Sequence, residues 1–566
     1  MTLQSRTLAP SKGRSLQLGL LLIYLSVFLV LPVGTMMVQG LTRGNQAELP
    51  LTLVALNPLV VESLMNSLAT ACASAVLAAS LALPLAMVLW RFGVHTPLFV
   101  NLCGFLPLFV PPFVLVVSLQ TLLGRGTALG MLLQYLGDMD PVFWGLPGVA
   151  VVEALHYFPL ILVTLIMTTS AHQQQAHEAA ALGVGWSQLV RRIFFPLSMP
   201  GLTFGMLLIF LKTMDDLATP LTLGVHNLLA PQLFLRVSTY GATDPISSLM
   251  ATMLIVVSVL AWFASLGLLQ RQFAFRDASI DLPMHHRYNR PLWIGFVVVG
   301  GLFLLYAICY AGVLLTSFAR IWSYSVLPTS FAITHYLSVF DAERGSFFNT
   351  LVYCGFAAVL DVGIGYMMAR AIARTTATRK KWLTWGTAGL LSVPGVALAI
   401  AYLQFFHGFS LPLFKQPLDV TWFLLPMAFS VKGLPFAIQA CRIALSSVPA
   451  NYIDAANISG VGRFSITAKI VLPMMAYGLL MAFMISFGVA AVDLSTAMLL
   501  VPSESNAPVS YSIYLNMQST TGSGVGAALA MLLLGLVVLV MGSLVFWMRK
   551  RWKTASNFRK YVLARH

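Results

Sequence analysis

Eight ionisable side chains interrupt otherwise apolar runs of this sequence: Glu153, His156, Lys212, Asp215, Asp216, Asp361, Lys432 and Asp493. A charge inside such a run is costly unless it meets water or an opposite charge, so these groups commonly mark solute or ion pathways. Two chemistries fit their spacing. Glu153, His156 and Lys432 can line a translocation path; His156 and Lys432 each stand three residues before a proline, Pro159 and Pro435. Asp216 and Asp493 recur in matched contexts, Asp-Leu-Ala-Thr and Asp-Leu-Ser-Thr, 277 residues apart. They belong to the same path set and suit a structural or gating role near the outer end of their segments. The alternative is pairing: Lys212 can meet Asp215 or Asp216 three and four residues on, along one helix face, and Asp361 can cap or pair inside a bundle.

The elements that must position these groups follow from composition. Of 566 residues, 58% are hydrophobic and 9% charged, against about a quarter charged in a soluble domain. Bilayer spans need about 20 apolar residues each. The sequence offers twelve such runs, near 16–40, 63–90, 97–123, 143–168, 200–223, 246–270, 292–317, 347–369, 383–406, 420–443, 474–500 and 524–547. The first is too long for a cleaved signal core and lacks a cleavage site, so it reads as a retained span. The expected fold class is therefore all-α and polytopic.

With the N-terminus inside, 25 of the 33 Lys and Arg fall in inner segments and six in outer loops. That bias supports cytoplasmic N- and C-termini. The net charge of +15 is thereby assigned to the membrane surface and lipid rather than to nucleic acid. No Gly-Lys dipeptide occurs, so a phosphate-binding P-loop is impossible and the chain is not itself an ATPase. The cysteines, Cys72, Cys103, Cys309, Cys354 and Cys441, form no CxxC pair and imply neither a metal site nor a bound cofactor.

The chain also repeats internally. One polar, basic stretch, 177–200, carries Glu178-Ala179-Ala180, Gly183-x-Gly185 and Pro196; a second, 453–473, carries Asp454-Ala455-Ala456, Gly460-x-Gly462 and Pro473. The acidic-Ala-Ala triplets lie 276 apart and the glycines and prolines 277 apart, so the first copy is one residue short. Asn66-Ser67-Leu68 and Asn349-Thr350-Leu351 open corresponding spans. These matches divide the chain into a first half, 1–270, a polar linker, 271–291, and a second half, 292–566. Six spans per half keep both halves in the same orientation, as parallel repeats.

The two loops resemble the EAA loops of bacterial ABC importer permeases. The fused layout resembles the binding-protein-dependent permeases of the ferric-iron type, and at this level those for thiamine and 2-aminoethylphosphonate. The resemblance implies an inner-membrane permease that supplies both halves of a pore. It also implies two copies of a separate ATPase subunit docked on the loops and a periplasmic solute-binding protein on the outer face. The glycine can end each coupling helix and the proline can start the next span. An ion-gradient-driven secondary transporter with two six-helix halves shares the span count but leaves the two matched loops unexplained. Ferric iron, an organophosphonate and thiamine all stay open as solutes.

Overall fold

A computed structural model describes residues 19, 21–43, 57–92, 110–124, 127–136, 144–170, 182–273, 292–322, 327–373, 375–410, 416–519, 522–536 and 538–539. These residues are overwhelmingly helical; one antiparallel pair of short strands, Ala319–Ile321 with Ser330–Phe331, follows the first helix of the second half. Within the first half, α1 covers Leu21–Thr42 and α2 Pro58–Phe92. Then come α3, Pro112–Leu123, α4, Leu146–Ser170, and α5, Trp186–Asp215. A short α6, Ala218–Thr222, precedes α7, Pro245–Phe273. The second half contributes α8, Leu292–Phe318, α9, Arg344–Ala373, α10, Gly395–Phe405, and α11, Leu424–Ser446. It closes with α12, Phe464–Ala491, and a short α13, Leu494–Leu500.

Nine described helices are long and apolar enough to cross a membrane, and one further pair of helices, broken at a bend, passes the same test together. The broken one is the run expected as a continuous span at 383–406. It bends by 88° between Thr378–Ser392 and α10. Pro394 is the cause: it lacks an N–H and drives Val393 out of helical geometry, to ψ 110°. The spans expected at 200–223 and 474–500 also stop early, at Asp215 and Ala491, because Asp216 and Val492–Asp493 turn the chain into α6 and α13. At 97–123 only Val110–Gly124 is described, with α3 starting at Pro112. At 524–547 the described helix is Ser523–Leu536. Most of the linker, 274–291, lies outside the described residues, as do most of the N-tail and the C-tail.

Each half is built on a three-helix core. In the first, α2, α4 and α5 pack together; in the second, α9, α11 and α12 do. Hydrophobic burial cannot drive such contacts in lipid, so close approach of small residues must. On α2, Ala75, Ala78, Ala82 and Ala86 recur every three to four residues, all at most 4% exposed, against Phe158, Ile161 and Leu165 of α4. Gly205 of α5 sits so close to Ile161 that a Cβ there would lie 2.9 Å from its Cα. In the second half Gly365 of α9 meets the backbone of Ala437 on α11. The first helix of each half leaves its own core. α1 packs on α10, and α8 on α3, so the halves exchange one helix each. Tyr402 donates to the Phe28 carbonyl at 2.6 Å across one exchanged contact. Across the other, the Val313 amide donates to Ser118 Oγ at 3.2 Å.

Candidate functional site

The three helix breaks converge. Pro111–Pro112, Leu390–Pro394, the ends of α5 and α12, and the middle of α4 and α11 enclose a cavity of about 180 Å³ between the halves. Its walls are mostly apolar, with His156, Lys212, Asp215, Asp216, Lys432 and Asp493 among its lining residues. Two Val-Pro steps, Val110-Pro111 and Val393-Pro394, stand 283 residues apart and open the short helices α3 and α10 on this cavity. Sequence reading missed this pair, although the shared dipeptide was a usable signal.

Lys432 is the hub of the charged groups. Its Nζ lies 2.9 Å from Asp215 Oδ2 and 2.7 Å from Asp493 Oδ2, and donates to Thr496 Oγ1 at 3.4 Å. Asp215 belongs to the first half, so this contact bridges halves. Its other oxygen accepts from the Val396 amide at the start of α10, at 3.2 Å, and its carbonyl accepts from Ser495 Oγ at 2.9 Å. A side chain at Gly395 would run into Lys432 Nζ and Thr496 Oγ1, so the amine needs that glycine. The pairing expected for Lys212 does not form. Asp215 is taken by Lys432, and among the described residues Lys212 has no ion-pair or hydrogen-bond partner.

Asp216 and Asp493 act alike at their two helix breaks. Asp216 accepts from the Ala218 and Thr219 amides at 3.3 and 3.2 Å. Asp493 accepts from the Thr496 amide at 3.2 Å and its hydroxyl at 3.1 Å. Each carboxylate therefore caps the short helix that follows, satisfying amides with no helical partner. His156 lies on the cavity wall, 1% exposed, with Nδ1 3.2 Å from the Tyr310 hydroxyl. Glu153 is not among the lining residues; it is fully buried, and Oε2 accepts from the Thr213 hydroxyl at 3.4 Å. Asp361 sits apart, inside the second core, where it accepts from Ser430 at 2.6 Å and from Ser486. No group of three or more His, Cys, Asp or Glu among the described residues is arranged to hold a metal ion.

The backbone of the second repeated loop, 453–473, is described throughout. Its helix, Ala450–Ile458, ends in a Schellman turn: the Gly460 amide donates to Asn457 O at 3.1 Å and the Val461 amide to Ala456 O at 3.0 Å. Gly460 takes φ +72°, which closes that turn. Asp454 and Ala455 are exposed and Ala456 is buried beneath them. In the first loop Glu178, Ala179 and Ala180 lie outside the described residues, but Gly183 has φ +84°. Gly185 and Gly462 each precede a short helix, Trp186–Leu189 and Arg463–Ile466. Each of those runs into a five-residue π-turn, Val190–Phe194 and Thr467–Val471. Pro196 and Pro473 stand two residues beyond the ends of these turns. Neither proline can donate to the carbonyl four residues back, and a widened turn relieves the clash of its ring with that carbonyl.

Residues 361–550 match the family model described as binding-protein-dependent transport system inner membrane component. The chain is 25% identical over 502 residues to the ferric transport system permease protein FbpB of Actinobacillus pleuropneumoniae, covering 86% of this chain and 71% of that one. It is 24% identical over 472 residues to a putative ferric transport system permease protein, FbpB 1, of Haemophilus influenzae, covering 80% and 72%. A shorter likeness, 28% over 157 residues, covers 27% of this chain and 41% of the alpha-glucoside transport system permease protein AglG of Rhizobium meliloti. The family match thus falls in the second half, and the likeness to the two FbpB permeases, which reaches across most of the chain, fits an ABC importer permease of the fused two-half type.

Proposed function

We propose that this chain forms the complete membrane pore of an ABC importer for ferric iron. Two ATPase subunits seat on the loops at 177–200 and 453–473, and a solute-binding protein delivers its cargo to the opposite face. The observation that carries this reading is the second loop. A Schellman-closed helix stands beside exposed apolar side chains, with Ile458 87% and Phe464 85% exposed. Exposed apolar groups of that size beside a polar, basic loop fit a protein partner. The iron assignment rests on the names of the two FbpB relatives; the organophosphonate and thiamine alternatives have no such support.

The mechanism follows from how α5 and α12 are placed. Each begins beside a coupling loop and ends beside the charged cluster, at Asp215 and Ala491. The 30 residues of α5 make a rod of roughly 45 Å at about 1.5 Å per residue. Movement of a docked ATPase is thereby delivered to Asp215 and Asp493. Parting these carboxylates from Lys432 opens the cavity between halves.

The decisive experiment is uptake of radioactive ferric iron by cells in which the partner ATPase has lost its P-loop lysine. Uptake should stop while the permease stays in the membrane. Uptake that persists there and collapses with the proton gradient would establish the secondary-transporter alternative instead.

A further inference from the structure

We propose that the cavity between the halves is a binding station for an oxyanion, anchored by Lys212 and Ser258. The inference rests on the reading of this cavity as part of the solute path. It is carried by an inventory of which polar atoms in the walls are already satisfied.

Each carboxylate that lines the cavity is already engaged. Both oxygens of Asp215 are occupied, one by the Val396 amide and one by the Lys432 ammonium. Both oxygens of Asp493 are held, by Thr496 and by Lys432. Both oxygens of Asp216 accept backbone amides. An ammonium has three donors, and those of Lys432 are matched by Asp215, Asp493 and Thr496. A bare cation would compete with these partners for the carboxylates.

The unfilled capacity is on the donor side. Lys212 lines the cavity with no hydrogen bond or contact ion pair among the described residues, and Asp215, Asp216 and Asp493 act on it only through space. Ser258, on α7, also contributes to the wall; it is 1% exposed and its hydroxyl has no hydrogen-bond partner among the described residues. A buried hydroxyl and a partly buried ammonium left without acceptors are costly. A ligand that brings acceptors and negative charge removes both costs at once. The class that does so within about 180 Å³ is a small oxyanion: a phosphate, a phosphonate or a carboxylate. For an iron importer, this means that ferric iron reaches the cavity with an anionic oxygen ligand still bound to it, not as the aqua ion.

The repeat explains why the station lies on one side. At the offset of 277, Lys212 corresponds to Val489, which also lines the cavity. One wall therefore offers an ammonium where its counterpart offers an isopropyl group.

The test uses the full-length permease purified with its ATPase, with inorganic phosphate and citrate as probes and hexaamminecobalt(III), a trivalent cation without acceptors, as the contrast. Thermal unfolding is followed against probe concentration, since a ligand of the folded state raises the midpoint by mass action. Phosphate or citrate should stabilise the wild type saturably, and hexaamminecobalt(III) should not. Lys212→Gln should weaken the apparent affinity by about tenfold or more, and Ser258→Ala by about threefold to tenfold, as expected for a charged and a neutral hydrogen bond. Lys212→Arg, which keeps charge and donors, should retain binding and controls for a folding defect in Lys212→Gln. Equal affinity in Lys212→Gln and wild type, or stabilisation by the cobalt complex alone, would overturn the proposal. ATP hydrolysis by the same preparation separates the two readings. A coupled ATPase with no anion binding refutes the station only; anion binding without an associated ATPase refutes the importer reading only.

Discussion

Asp215→Asn is the sharpest perturbation of the cluster that joins the halves. The substitution preserves shape, and its side-chain carbonyl can still accept from the Val396 amide, now at 3.2 Å. What it removes is the acceptor 2.9 Å from Lys432 Nζ, in a pair whose side chains are only 9% and 11% exposed. Lys432 stays compensated by Asp493 at 2.7 Å. The loss is therefore one charged hydrogen bond, about 2 kcal/mol, equivalent to roughly a thirtyfold shift between joined and parted halves. Lys432→Met is more severe, because it strands two carboxylates; removing one partner of a buried pair costs about 3–5 kcal/mol. The assay is the labelling rate of a cysteine introduced by Ser392→Cys, a cavity-lining position that is 3% exposed. Asp215→Asn should accelerate labelling by more than about tenfold, and Lys432→Met should also lower the unfolding midpoint. Combining the two should cost less than their sum, since the contact they share can be lost only once. Unchanged labelling in Asp215→Asn, with additive effects in the double variant, would refute the view that this pair holds the halves together.

Three further predictions concern other parts of the chain. Gly460→Val forces a β-branched residue into φ +72° with no atom of the described residues within 4 Å of the new Cβ, so the penalty, about 1–2 kcal/mol, is one of backbone strain. Uptake should fall at normal membrane levels, and Gly183→Val should cost less because its loop is one residue short; equal uptake by Gly460→Val and wild type would contradict this. Asp244 caps α7 through the Ser247 amide at 2.9 Å. Burial raises its carboxyl pKa, but the hydrogen bonds from Arg236 and Ser247 outweigh burial and hold it below the ordinary range. A depressed carboxylate stabilises the fold above its unfolded pKa, near 4, and loses that contribution as pH falls through the folded value. Asp244→Asn should thus lower the unfolding midpoint near pH 7 and converge on wild type in acid; a pH-independent difference would show that charge is not involved. Cysteines introduced by Ser187→Cys and Ser465→Cys should resist impermeant thiol reagents in intact cells, whereas Ser410→Cys should label; external labelling at either inner position would invert the topology.

Hydropathy located much of the fold to within a few residues. The runs read at 246–270 and 347–369 appear as Pro245–Phe273 and Arg344–Ala373. It failed where a single residue overrides an apolar average, at Asp216, Asp493 and Pro394. Those breaks were legible by other means: Asp is a favoured residue at helix starts, and the residue before a proline is biased out of helix, so Val-Pro marks a helix boundary. The partner of Lys432 was not legible. Asp215 lies 217 residues away, and the i+3 rule pointed it to Lys212 instead. Local spacing ranks neighbours on one helix; it carries no information about which helix of the other half presents an ammonium to the same carboxylate.

The cluster has a consequence for how such a pore can be encoded. At the repeat offsets, Lys432 corresponds to His156, Asp215 to Val492 and Lys212 to Val489. Two copies of the first half would gather two Asp215 and two Lys212 with no Lys432 to join them. Two copies of the second would bring two Lys432, each with its own Asp493 and only a valine opposite. Neither homodimer can make the contact between Asp215 and Lys432; only unlike halves can. Carrying both on one polypeptide makes that choice at synthesis, since a tethered partner is present at millimolar effective concentration and always in equal number. Cutting the gene within 271–291 would turn an intramolecular closure into a competition, in which like halves could meet as often as unlike ones and leave the pore without its central ion pair.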